Sequence, residues 1–215
     1  MGAVISPAIL ATDKEGFQKE MHKVAGYAHR IQIDLTDREF AKPKTIAPHE
    51  VWWPVGLKAD IHLMYKQPLE PARQLISHKP HLIIVHAESH GDFKGFVDLC
   101  RSGGTKVGIA LLPETPPATI YSGLEMIDHV LIFSGDLGHY GGVADLNLLE
   151  KVAALKARKP DLEVGWDGGA DDQNIARLVL GGIDVINVGG YIQNAADPHK
   201  AYQALQRIAD ETGTA

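Results

Sequence analysis

The sequence has a single cysteine, no long apolar run and no excess of basic residues, and each of these shortages excludes a class of protein. Because Cys100 is the only thiol, no disulfide can form within the chain, and we expect this residue to be a small buried hydrophobe. No segment approaches the ~20 apolar residues of a membrane-spanning helix. A net charge of −6 argues against nucleic acid as the main partner, since phosphate-backbone binding needs a basic surface.

The chain also lacks flexible linkers, low-complexity tracts and an export signal. Its N-terminus has neither a basic region nor an apolar run long enough for secretion, so we expect a cytoplasmic protein. A hydrophobic content of 45% and a charged content of 22% are typical of a globular domain. We therefore expect one domain over residues 1–215, and a homo-oligomeric assembly.

Eight short apolar segments, rich in β-branched residues, predict eight strands. The spacing of apolar residues between most of them is helical. Regular alternation of strand and helix favours a parallel sheet covered by helices, and eight such units fit a single (β/α)8 barrel. A doubly wound open sheet is the structural rival, but no G-x-G-x-x-G follows the first strand. The segments are 4–10, 30–35, 58–64, 81–88, 106–112, 129–134, 162–168 and 184–190.

Local signals place several boundaries between these elements. Asp13 is expected to cap a helix that begins near Lys14, and the pair Asp197–Pro198 is expected to start the last helix, with its body at 199–210. Pro116–Pro117 should end the fifth strand and begin a helical turn. The region 36–54 is irregular and is expected to be a long loop with at most a short helix.

Ionisable residues close three of the predicted strands, namely Asp34, His62 and Asp167. In a barrel the carboxyl ends of the strands converge, so these side chains are expected to meet. The glycine pairs Gly168–Gly169 and Gly189–Gly190 follow the last two strands, where this fold commonly binds phosphate through backbone amides.

Three further glycines follow the sixth strand, and they could give its loop the freedom of a lid over the bound substrate. They are Gly138, Gly141 and Gly142. The other histidines, including His86, and the acidic Glu88 show no metal-ligand spacing, so we expect solvated or core roles for them.

Several short motifs, in order along nearly the whole chain, resemble the strand-end motifs of ribulose-phosphate 3-epimerases. They are I-S-P-A-I-L-A-T-D (5–13), I-D-L-T-D-R-E-F (33–40), D-I-H-L-M (60–64), V-H-A-E (85–88), L-P-E-T-P (112–116), G-H-Y-G-G (138–142), D-G-G (167–169) and V-G-G-Y-I (188–192). The resemblance implies that Asp34 and Asp167 are the acid/base pair and also metal ligands, and that His62 is a further ligand.

The chain departs from the family pattern around the same site. Gln32 stands where the resemblance implies a fourth, histidine ligand, and Ala8 replaces a serine that lies by the substrate in the family. The family's Met-Asp-Gly-His-Phe becomes 36–40, Thr-Asp-Arg-Glu-Phe, and the lid motif becomes 136–142, one residue longer.

The replacement at Gln32 puts the metal in doubt. A neutral amide oxygen should weaken zinc or iron binding and favour harder divalent ions such as manganese or magnesium. Alternatively, Gln32 is a polar inward residue hydrogen-bonded within the barrel. No nucleotide cofactor is expected, because the spacing of a dinucleotide site is missing.

The resemblance implies an isomerase that acts on a phosphorylated ketose. The default reaction converts D-ribulose 5-phosphate to D-xylulose 5-phosphate by two-aspartate proton transfer through an enediolate. The alternative is a catalytically inactive or regulatory barrel of the same descent that binds a sugar phosphate. A third possibility is lyase or decarboxylase chemistry on a related sugar phosphate. Retention of both aspartates favours the enzyme, whereas Ala8, Gln32 and Arg38 favour altered specificity or lost activity.

Overall fold

Eight parallel strands close into one barrel in the computed structural model, which describes residues 2–214. Each strand pairs with its neighbours in sequence, and β1 closes the barrel against β8. All eight predicted strands and the (β/α)8 class are confirmed. The strands are β1 Val4–Ile9, β2 Arg30–Thr36, β3 Lys58–Met64, β4 Leu82–His86, β5 Lys106–Leu111, β6 His129–Phe133, β7 Glu163–Asp167 and β8 Val185–Val188.

Helices connect most of the strands, although several connections are short 3₁₀ segments. Asp13 accepts a hydrogen bond from Gly16 N, and Asp197 accepts one from Lys200 N, so both predicted N-caps are confirmed. The α-helices are α1 Lys14–Val24, α2 Leu69–Leu75, α3 Phe93–Ser102, α4 Leu149–Lys156, α5 Ile175–Leu180, α6 Gly190–Gln193 and α7 Pro198–Gly213. The 3₁₀ segments are Pro48–Glu50, Ile76–His78, Pro117–Met126 and Leu146–Leu148.

Two of these segments match particular expectations from the sequence. The irregular region 36–54 contains only the short 3₁₀ segment Pro48–Glu50, as predicted. After Pro116, the chain forms a 3₁₀ helix over Pro117–Met126. Among residues 2–214, no helix is long and apolar enough to cross a membrane.

The hydrophobic core has two parts because each strand presents alternate side chains to opposite faces. The larger part lies between the strands and the surrounding helices and includes Trp166 and the fully buried Cys100. The smaller part fills the barrel and consists of Leu82, Ile84, Ala110 and Leu131. The interior above it is therefore left to polar side chains at the carboxyl ends of the strands.

Charged residues fill the opposite, amino-terminal end of the barrel. The Arg30 guanidinium contacts Asp60 at 2.5 Å and donates two hydrogen bonds to Glu163 at 2.8 and 2.9 Å. His129 Nδ1 lies 2.8 Å from Glu163 Oε1. A Cβ at Gly165 would lie 2.5 Å from His129 Nε2, so glycine makes room for this network inside the barrel.

Candidate active site

Adjacent strands bring the predicted site residues together at the barrel mouth. In the register of the sheet, Asp34 on β2 is opposite His62 on β3. Asp167 is the last residue of β7, and its neighbour on β8 is Asn187. One oxygen of each aspartate and one nitrogen of His62 all lie within 4.8 Å of one another. The expectation that these three side chains meet is therefore confirmed.

Gln32 lies on β2, two residues before Asp34, and holds both aspartates from inside the barrel. Its Nε2 atom donates hydrogen bonds to Asp34 Oδ1 at 2.9 Å and to Asp167 Oδ2 at 2.6 Å. His62 Nδ1 approaches the same two oxygens, at 3.0 Å from Asp34 and 3.5 Å from Asp167. In residues 2–214, Asp34 Oδ2 and Asp167 Oδ1 accept no side-chain hydrogen bond, so each carboxylate keeps one oxygen for a ligand.

Burial and mutual contact set the charges of this cluster. Burial raises the pKa of Asp34 to about 6, and the negative charge of Asp167 acts in the same direction. Burial alone would lower the pKa of His62, but hydrogen bonds to Asp167 and Asp34 outweigh it and raise that pKa to about 9. In the absence of a cation, an imidazolium therefore lies beside the two carboxylates at neutral pH.

His86, at the end of β4, joins the cluster although its sequence context gave no signal for this contact. Its Nε2 atom lies 2.8 Å from Nε2 of His62, and both rings are fully or almost fully buried. Burial lowers the pKa of His86 to about 4, so the neutral ring accepts a hydrogen bond from the His62 imidazolium. On its other side, His86 Nδ1 lies 3.4 Å from Glu88 Oε2. A solvated or core role was expected for His86. The ring is buried, but it contacts the site through His62.

Asp34, His62 and Asp167 fit a divalent cation. Two carboxylates and one imidazole form a three-ligand set that leaves coordination positions open, as in catalytic metal sites. Gln32 does not complete the set in this orientation, because its amide nitrogen is a donor that faces the carboxylates. Its Oε1 atom is buried without a hydrogen-bond partner in the described chain. Rotation of the amide would turn that oxygen toward a bound ion.

The predicted phosphate-binding glycines line one cavity of about 380 Å³ together with Asp34 and Asp167. In residues 2–214, the backbone N–H groups of Gly168, Gly169 and Gly189 donate no hydrogen bond. The glycines after β7 have φ values of 115° and 68°, which side chains rarely adopt. Each residue of the predicted set lies here: Gly138, Gly141, Gly142, Gly168, Gly169, Gly189 and Gly190.

The loop after β6 closes over this cavity through one tyrosine. The Tyr140 hydroxyl donates to Glu20 Oε2 at 2.6 Å and accepts from the backbone N–H of Leu10, also at 2.6 Å. The ring lies so close to Gly189 that a Cβ there would clash with it. Tyr140 therefore packs the predicted lid against β1 and β8 in this structure.

Two further polar residues support this end of the barrel. Asn187 was not predicted from the sequence, whereas Asp37 was expected to cap a loop or support the site and not to be a catalyst. Asn187 lines the cavity and is almost fully buried, and its Oδ1 atom has no partner within the described chain. Asp37 accepts hydrogen bonds from the backbone N–H groups of Glu39 and Phe40 and, through its other oxygen, from that of Lys66. Asp37 thus organises the loop after β2.

Comparison with known proteins agrees with this geometry. A family model described as "Ribulose-phosphate 3 epimerase family" matches residues 4–193, which include every strand and every site residue named above. The chain belongs to the ribulose-phosphate 3-epimerase family. A ribulose-phosphate 3-epimerase of Helicobacter pylori (strain 26695) is 30% identical over 212 residues, covering 95% of this chain and 97% of that protein. The ribulose-phosphate 3-epimerase of Bacillus subtilis is 27% identical over 211 residues, covering 94% and 97%. The expectation of an isomerase family is confirmed.

Solved structures of low sequence identity share the fold. The 3-hexulose-6-phosphate synthase of Salmonella typhimurium matches with a TM-score of 0.69 at 13% identity, over 97% of this chain and 99% of that chain. KGPDC of Streptococcus mutans matches with a TM-score of 0.69 at 12% identity, over 98% of each chain. At such identities the similarity supports the barrel alone.

Proposed function

We propose that this ribulose-phosphate 3-epimerase family member epimerises a phosphorylated ketose, with D-ribulose 5-phosphate as the default substrate and D-xylulose 5-phosphate as the product. The observation that carries the proposal is the pairing of Asp34 and Asp167 at the mouth, each with one oxygen held and one oxygen free. Inverting a carbon beside a carbonyl requires a base on one face and an acid on the other. Carboxylates from β2 and β7 supply both groups.

The surrounding residues keep this pair in place during proton transfer. Gln32 and His62 donate to the inner oxygens of the aspartates, which leaves the outer oxygens directed to the substrate carbon. One aspartate removes the proton next to the carbonyl, and the other delivers a proton to the opposite face of the enediolate. A divalent cation, when bound by Asp34, His62 and Asp167, would supply Lewis-acid polarisation of the substrate oxygens.

The proposed phosphate site is formed by the glycine-lined part of the same cavity. The close approach of backbone to ligand that glycine permits, and the N–H groups without partners at Gly168, Gly169 and Gly189, support anion binding there. Anchoring the phosphate at β7 and β8 would leave the sugar carbons beside the two aspartates, because Asp34 and Asp167 line the same cavity.

Substitution of each aspartate tests the assignment. We expect Asp34→Asn and Asp167→Asn to remain folded and to lower turnover of ribulose 5-phosphate by roughly 10²-fold or more, the usual scale for a positioned acid or base. Asp136→Asn is the matched control, since Asp136 lines the same cavity but shares no hydrogen bond with the pair within residues 2–214. If both site variants kept the turnover of the unmodified protein, the two-aspartate assignment would be wrong.

Two observations favour the second candidate, a sugar-phosphate-binding barrel without epimerase activity. The Gln32 amide donates to both carboxylates, and Ala8 offers no hydroxyl at the mouth. Such a barrel would bind ribulose 5-phosphate in calorimetry but would not change it, whichever divalent ion is added. An epimerase would convert ribulose 5-phosphate to xylulose 5-phosphate.

A further inference from the structure

A second concavity adjoins the glycine-lined cavity on the side of β1 and β2, and we call it the outer groove. It has a volume of about 750 Å³, and Arg38 and Lys42 contribute its charged side chains. The two concavities share four lining residues: Leu10, Gly138, His139 and Tyr140. The two concavities therefore adjoin each other, with the hydrogen bond from Leu10 N to Tyr140 between them. A ligand that spans both requires the loop after β6 to move away from β1.

The two cations of the outer groove have no counter-ion in the part of the chain that is described. Of the neighbouring cations, Lys14 pairs with Glu50 at 3.1 Å and Lys66 approaches Glu39 at 3.9 Å, whereas Lys44 is unpaired like Arg38 and Lys42 within residues 2–214. Neither Arg38 nor Lys42 donates a side-chain hydrogen bond within residues 2–214. In a chain with a net charge of −6, two unpaired cations at the rim of a cavity create a local positive potential that attracts anions.

The backbone holds Arg38 in place at some cost. Its φ of 74° lies in the left-handed region, which favours glycine and is uncommon for a long side chain. The loop keeps this conformation because Asp37 accepts backbone hydrogen bonds through both carboxylate oxygens, from Glu39 and Phe40 at Oδ1 and from Lys66 at Oδ2. Strained backbone at the rim of a cavity is often found at functional positions. Here it fixes the backbone position from which the Arg38 side chain extends.

We propose that Arg38 and Lys42 form a second anion subsite, which binds an acidic group at the end of the substrate remote from its glycine-bound phosphate. The proposal rests on the proposed function, because it assumes that one phosphate occupies the glycine loops. The ligand class is a phosphorylated sugar with a second phosphate or a carboxylate. Arginine suits either group, since its planar guanidinium donates two parallel hydrogen bonds to their oxygens.

Calorimetric titration with three probes tests the subsite: ribulose 5-phosphate, ribulose 1,5-bisphosphate and 5-phosphoribonate. We expect the unmodified protein to bind one or both of the diacidic probes at least tenfold more tightly than the monophosphate. The bisphosphate and the phosphorylated acid separate a phosphate preference from a carboxylate preference. This difference in affinity should become smaller as the salt concentration is raised, because Arg38 and Lys42 are exposed and salt screens exposed charges.

Arg38→Gly is the decisive variant because it removes the cation and relieves the left-handed backbone. We expect the affinity ratio of diacid to monophosphate to fall at least tenfold in Arg38→Gly with Lys42→Met, while Tm is unchanged or higher for Arg38→Gly alone. Lys58→Met is the matched control, since Lys58 begins β3 at the opposite end of the barrel. The affinity ratio of diacid to monophosphate in Lys58→Met should equal that of the unmodified protein.

The outcomes separate this subsite from the proposed function. If ribulose 5-phosphate binds and is epimerised but neither diacid gains affinity, the second subsite is wrong and the proposed function stands. The subsite is also wrong if the variant with both Arg38→Gly and Lys42→Met still binds a diacid at least tenfold more tightly than ribulose 5-phosphate. If none of the three probes binds, both proposals fail.

Discussion

At the scale of single residues, Gln32 determines how the two aspartates are held, because one amide nitrogen donates to both. The sequence predicted that Asp34, His62 and Asp167 would meet, since each closes a strand and strand ends converge. It could not predict the contact between His86 and His62, because that depends on the stagger between β3 and β4. Arg38 was visible as a departure from the family motif, but its left-handed backbone was not.

The Gln32 amide should make this site a poor zinc site. We predict little or no zinc in the purified protein and tighter zinc binding after Gln32→His, because imidazole is the better ligand for a borderline-soft ion. Elemental analysis and competition with a chelator measure both quantities. Stoichiometric zinc that resists a chelator in the unmodified protein would show that Gln32 does not weaken the site.

At the scale of elements, the strands were predictable because each is a short apolar run bounded by turn residues. The predicted bounds extend two residues beyond the carboxyl ends of β4 and β8, because the chain there curves into the loops that bear the site. The packing of the loop after β6 was not predictable. It depends on Tyr140 reaching Glu20, and these residues are 120 positions apart.

The turn between β8 and α6 offers a direct test of the phosphate site. A Cβ at Gly190 would meet its neighbours at ordinary distances of 3.5–3.7 Å, so Gly190→Val should fold. We expect it to weaken binding of inorganic phosphate and of ribulose 5-phosphate by roughly tenfold, because the side chain obstructs the approach of an anion to the backbone. Calorimetry on the folded variant measures the change.

Gly26→Val is the control for this substitution, since a Cβ at Gly26 meets nothing within 4 Å. Both variants carry the same added side chain, but only Gly190 lines the cavity. Equal phosphate affinities for Gly190→Val and the unmodified protein would place the anion elsewhere, with Arg38 as the next candidate.

At the scale of the whole molecule, the barrel separates function from stability. Polar groups at the carboxyl ends of the strands form the candidate site, whereas the buried Arg30 and Asp60 form an ionic network with the partly exposed Glu163 at the other end. Burial by itself would raise the pKa of Glu163, but hydrogen bonds from Arg30 and His129 outweigh it and hold that pKa well below its usual range. The sequence indicated the site end only, because Arg30 and Glu163 begin their strands and lie outside the strand-end motifs that marked the site.

The depressed pKa of Glu163 makes its contribution to stability dependent on pH. The folded state favours the charged form, so the contribution is present above the ordinary glutamate value of 4.5 and is lost as pH falls below it. We expect Glu163→Gln to lower the free energy of unfolding by about 2 kcal/mol at pH 7, since it leaves the Arg30 charge partly uncompensated.

Thermal melts at several pH values check this prediction. The difference in Tm between Glu163→Gln and the unmodified protein should narrow as the pH is lowered below 4.5, whereas the exposed control Glu125→Gln should match the unmodified protein throughout. A constant difference across that range would mean that Glu163 contributes through packing and not through its charge.

Incorporation of solvent deuterium into ribulose 5-phosphate decides whether Asp34 and Asp167 act as a proton-transfer pair. NMR follows the incorporation while divalent ions are supplied one at a time. If Asp34 and Asp167 exchange protons with the substrate carbon, deuterium should appear at the carbon that is inverted and xylulose 5-phosphate should accumulate. The Asp34→Asn and Asp167→Asn variants should lose this exchange. If ribulose 5-phosphate binds but takes up no deuterium with any of the ions, Asp34 and Asp167 do not transfer protons to it. That result would favour a sugar-phosphate-binding barrel.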